Sequence, residues 1–182
     1  MKRTAIVVAA LIGLALGSGA TYGLLHATGR LAAPVAEPEL LLTLGQTLDA
    51  EHRRVDLLVD EGKIAEAIAA LDQLRALRWP SRAAAGDPAV LLRHDLYGRL
   101  LRLRLDHPEV DPRPPAELLA LCDEGLADAD AVEGNAFTAR LYAIRGELLE
   151  ALHRDDEALA AYERALDINR ALLRRALGEG AP

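Results

Sequence analysis

Residues 139–172 read ARLYAIRGELLEALHRDDEALAAYERALDINRAL. Apolar residues recur every three or four positions on both sides of the polar run His153–Glu157. That spacing lines one face of a helix twice, so two amphipathic helices joined by a short turn are expected. Asp155 and Asp156 stand where an N-cap and dipole-matching acids belong. Small residues fall where the helices must touch. Gly146 and Ala158 permit close backbone approach, while Tyr142 and Tyr162 fill the gaps beside them and Ala165 continues the contact. Leu172, Leu173 and Leu177 carry the second helix onward to a stop at Gly178, with Arg174 and Arg175 suited to its C-terminus.

Upstream, weaker versions of the same pattern appear. Glu39–Gly62 reads as a long helix with Leu41, Leu44, Leu48, Val55, Leu58 and Val59 near one face, and Gly62 as its stop. Lys63–Trp79 follows as a second helix, closed by Pro80. Ser81–Pro88 reads as a loop and Ala89–Leu105 as a helix. Asp106–Pro115, DHPEVDPRPP, is too proline-rich for a helix. Ala116–Leu126 is helical, with Cys122 among apolar neighbours, and Ala127–Gly134 is an acidic connection. The expected architecture is therefore all-α, with about three helical hairpins in residues 39–178 and a tail at 179–182.

The best-formed unit resembles a tetratricopeptide repeat (TPR), a stacking unit of about 34 residues. The resemblance rests on Tyr142, Gly146, Ala158, Tyr162 and Ala165. It extends to Ala67, Leu71 and Leu74 within GKIAEAIAALDQL, although Val55 stands where the repeat has glycine. Gly98 fills the glycine position of a middle unit that carries the proline-rich insertion. Arg145 and Arg170 depart from the repeat's leucine and proline. The resemblance covers about residues 48–172 and implies a stack whose first helices form a concave protein-binding face. Some TPR proteins hold carboxylates with paired Lys and Asn residues; the matching positions here include His52, Asp56, Asp95 and Arg99, so that clamp is not expected.

The front of the chain is of another kind. After Lys2 and Arg3, Ala5–Leu25 runs without a charge. Residues 1–29 read as a signal anchor or a signal peptide, with Ser18-Gly19-Ala20 offering cleavage after Ala20. The uncleaved anchor is favoured, because the apolar run continues past that point to a length that spans a bilayer. Gly13/Gly17 and Gly19/Gly23 have the small-xxx-small spacing of helices that pack in membranes, which allows a homodimer. Both readings keep the basic start in the cytoplasm and export the remainder. Residues 30–38 form a Pro/Ala linker.

Composition narrows the function. Beyond residue 30 there are 18 cations against 28 anions, a formal charge of −10 that does not suit nucleic acid. The single cysteine, Cys122, allows no intrachain disulfide and reads as a buried structural thiol. His26, His52, His94, His107 and His153 are scattered with no metal-ligand spacing, and no phosphate loop or nucleophile elbow is present. No catalytic residue, metal or cofactor is expected. Two arginine groups, Arg75, Arg78 and Arg82, then Arg99, Arg102 and Arg104, read either as solvated faces or as docking points for an acidic partner. The expected function is a membrane-tethered extracytoplasmic adaptor for a protein partner of the cell envelope, met between the first and second hairpins. Two alternatives stand beside it. One is a self-associating structural protein pairing through Glu39–Gly62; the other is an accessory subunit of an envelope enzyme complex such as cytochrome maturation.

Overall fold

A computed structural model describes residues 38–77, 79 and 82–178, and these are all-helical, without a strand. The anchor expected at residues 5–25, the linker except Pro38, and the tail lie outside the described residues. Among the described residues no helix is long and apolar enough to cross a membrane. The described residues form six α-helices in order: α1 Pro38–Asp60, α2 Ile64–Arg75, α3 Arg82–Asp106, α4 Pro115–Gly125, α5 Ala136–Ala151 and α6 Asp155–Ala176. They pack in consecutive pairs, α1 with α2, α3 with α4 and α5 with α6.

The first and third pairs turn in the same way. After α1, Gly62 takes φ 74°, the N–H of Gly62 donates to the Val59 carbonyl at 2.9 Å and that of Lys63 to Leu58 at 2.8 Å. After α5, His153 takes φ 57°, its N–H donates to Glu150 at 2.9 Å and that of Arg154 to Leu149 at 2.9 Å. Both are Schellman turns, in which a left-handed residue lets the chain satisfy the last helical carbonyls. In each case the next helix starts immediately, at Ile64 and at Asp155. Arg154 is the N-cap of α6 and makes no side-chain cap, so Asp155 and Asp156 are helical residues of the first turn and not caps.

Three boundaries differ from expectation. Helix α2 stops at Arg75, four residues before Trp79, whose indole N–H reaches back to the Leu74 carbonyl at 3.1 Å. The same carbonyl also accepts from the Leu77 N–H at 3.2 Å, so the indole adds a second bond at the helix end. The expected loop at 81–88 is instead the opening of α3, which includes Pro88. Ala83–Ala85 favour helix strongly, and a proline in the second turn removes only one backbone bond. The connection 127–134 holds a short 3₁₀ turn at Ala129–Ala131. Asn135 then caps α5 by accepting from the N–H groups of Phe137 at 2.7 Å and Thr138 at 3.1 Å.

Helix α3 is central because it is apolar on two sides. Leu96 and Leu100 enter a cluster with Leu48, Val55, Ala67, Ile68 and Leu71 of the first pair. Tyr97 and Leu101, one residue further round, enter a second cluster with Leu119, Cys122, Leu141, Ile144 and Leu148. Two interleaved i, i+4 pairs thus join the outer pairs through one helix. Polar groups seal both joints. Arg104, buried, donates to Asp72 at 2.5 Å and to Asp111 at 2.8 Å. His94, also buried, bonds Thr138 at 2.9 Å.

Candidate functional site

The first helices of the three pairs, with Leu71 of α2, line a groove of about 420 Å³. Val55 and Val59 of α1, Leu71 and Leu103 make its apolar floor. Asp56 of α1, Arg99, Arg102 and Asp106 of α3 and Arg140 of α5 make its charged walls. The placement follows from the helix period. Residues 99, 102, 103 and 106 of α3 recur at three- and four-residue steps and so share a face, which borders the first core cluster through Leu103.

The walls are an interlocked set of ion pairs. Arg99 lies 3.2 Å from Asp56 and 3.5 Å from Asp95. Arg140 reaches Asp95 at 3.5 Å, and so does His52. Asp95, largely buried, is thus surrounded by three nitrogen-bearing side chains from three helices. Arg102 grips Glu147 with two bonds, at 3.0 and 2.7 Å, and lies 3.8 Å from Asp106. Fork-to-fork pairing of this kind fixes orientation as well as charge. Burial, and then the nearby Arg99, lowers the His52 pKa from its ordinary value, with Asp95 opposing both.

Of the five arginines expected to meet a partner, Arg99 and Arg102 line the groove. Arg75 belongs to a separate cluster, 3.4 Å from Asp72 and 3.5 Å from Glu124. There Glu124 also accepts from Tyr97 at 2.5 Å; burial and that bond push the tyrosine pKa up to about 12. Arg78 lies outside the described residues. Arg82 is the first residue of α3, about 25 Å along the helix from Arg99. Arg104, from the second group, is a core residue rather than a surface one.

The repeat-packing positions are distributed as follows. A Cβ on Gly146 would stand 2.6 Å from the Tyr162 ring, so that contact requires glycine. Ala158, Ala165, Ala67 and Leu71 are buried. Tyr142 is half-buried, with the Arg164 guanidinium 5.9 Å above its ring. Gly98 faces the side chain of Arg140. The close contact within the second pair lies elsewhere: a Cβ on Gly125 would meet the Tyr97 ring at 2.9 Å.

The positions His52, Asp56, Asp95 and Arg99 do come together, but they hold one another. Arg140 completes the site from α5, and its sequence neighbourhood gave no sign of that. Its pairing with Asp95 spans 45 residues and depends on how α3 meets α5. Burial raises the Cys122 thiol to about 12, leaving it a packing group that donates weakly to the Leu141 carbonyl. Among the described residues no three His, Cys, Asp or Glu side chains are grouped to hold a metal ion. The groove lining offers apolar contact on its floor and exchangeable ion pairs on its walls. No family model, curated protein or solved structure matches this chain.

Proposed function

We propose that this chain is a TPR-like adaptor that gathers a protein partner in the groove between α1, α3 and α5. Residues 5–25 tether it to the cytoplasmic membrane, with the helical pairs on the outer side. One observation carries the proposal: a groove of about 420 Å³ with an apolar floor and walls of alternating charge, built from the first helix of each pair. Floors of this kind supply affinity through burial, while rim charges set orientation and partner choice. The repeat reading draws support from the matched Schellman turns, which recur with Ala67 and Ala158, Leu71 and Tyr162, and Leu74 and Ala165 in equal register.

The walls shape what can bind. Each groove arginine is met by a carboxylate of the same chain, so a simple acidic peptide has no vacant cation to reach. The fitting ligand is amphipathic, with apolar side chains for the floor and charges of both signs for the walls. Glu39–Gly62 is less suited to self-pairing, because Leu48 and Val55 are buried against α2 and α3.

Crosslinking of intact membranes holding the full chain, followed by mass spectrometry, tests this. The expected result is a discrete protein partner whose recovery falls sharply with Val59→Glu on the groove floor. Recovery of a small molecule and no protein would refute the adaptor. Protection of residues 39–178 from trypsin added to spheroplasts would refute export.

A further inference from the structure

The outer face of α6 carries a leucine stripe that none of the other described residues covers. Leu159, Leu166, Leu173 and Leu177 are 60%, 49%, 62% and 70% exposed. Their spacings of seven, seven and four place them on one line along the helix. The same helix buries Ala158, Ala161, Ala165 and Ile168 on a different face. Packing against α5 therefore leaves the leucines outward.

Scattered exposed leucines are ordinary, whereas an aligned row over a helix about 33 Å long marks a contact surface. The charges beside the row identify what fits. On the leucine side the first turn of α6 holds Asp155 and Asp156 and the last holds Arg174, whereas Glu157 pairs with Arg154 and Arg175 with Glu133. Glu163 and Arg170 flank Leu166 nearly symmetrically, both exposed and on the leucine side. Two parallel copies would set like charges together. Two antiparallel copies, centred between Leu166 and Asp167, set Glu163 opposite Arg170 twice and each acidic end beside a basic end.

We propose that a second copy of this chain docks here, as an antiparallel α6–α6 pair related by a two-fold axis beside Leu166. This surface is distinct from the groove, so one assembly presents two grooves. A single-helix contact lies at the small end of protein interfaces, so the pair dissociates on dilution.

Disulfide mapping on the full chain in detergent tests the register. Cys122 is fully buried, so it leaves the background silent. Leu166→Cys should crosslink to itself. Leu159→Cys should not, but should crosslink to Leu173→Cys on a second copy. Glu163→Arg should lower the Leu166→Cys yield about tenfold, since each change acts twice across the axis. Adding Arg170→Glu should restore it. Self-linking of Leu159→Cys as fast as Leu166→Cys would overturn the antiparallel arrangement. Linking at Leu166→Cys no better than at Leu57→Cys, on an exposed face of α1, would overturn the surface itself. Failure of the double charge reversal to restore yield would overturn the register.

Discussion

The first and third helical pairs share a turn and a register but not a packing solution. Gly62 and His153 occupy the same left-handed position, and the following helices start two residues later. At the crossing, the third pair sets Gly146 against the Tyr162 ring. The corresponding residues of the first pair are Val55 and Leu71, both buried. One pair combines no side chain with a large ring; the other combines two aliphatic side chains of middle size. The crossing is thus held by total volume, and the glycine is one of two ways to reach it.

The strongest test of that equivalence exchanges the solutions. Gly146→Val alone drives a side chain into the Tyr162 ring and should cost about 3 kcal/mol in urea unfolding. Combining it with Tyr162→Leu installs the first pair's residues and should bring the loss within about 1 kcal/mol of wild type, a strongly non-additive result. Additive losses would break the comparison.

Acid should loosen the joints between pairs. His94, bonded to Thr138, is lowered to about 4, by burial first and then by Arg93. His52, at the joint between α1 and α3, is shifted in the same direction. A histidine held neutral in the fold is protonated more readily once unfolded. Its stabilisation is therefore complete above about pH 6.5 and is lost as pH falls from there towards 4. For His94 this amounts to about 2 kcal/mol between about pH 7.5 and pH 5. His94→Gln should flatten that slope in a pH series of thermal melts; an unchanged slope would assign it elsewhere.

The turns allow a finer comparison. Gly62→Ala forces a Cβ into left-handed backbone and should cost about 1–2 kcal/mol. His153→Gly relieves the same strain in the third pair, at the expense of a freer unfolded chain, for a gain of about 0.5 kcal/mol. Opposite signs in differential scanning calorimetry would confirm that both residues do one job.

These contrasts explain what the sequence made legible. The third pair was readable because period, small residues and an acidic first turn agree within residues 139–172. The Gly62 stop was equally plain. The first residues of α3 were obscured by Gly86, Asp87 and Pro88, whose turn chemistry is overridden by the alanines before them and the long helix after. The groove was harder still. Its apolar residues are visible as helix faces, but Arg102–Glu147 and Arg140–Asp95 join residues 45 apart. An arginine reads alike in sequence whether it is solvated, buried like Arg104 or paired like Arg102. Only the packing of α3 on its neighbours separates these cases.

The groove as a protein-docking surface is best tested by placing a photo-crosslinking residue at Val59, on the floor, and separately at Leu57, which lies about 200° away round α1. In intact cells carrying the full chain, Val59 should yield a discrete protein adduct that Leu57 does not. Equal adducts from both positions, or none from Val59, would contradict docking in the groove.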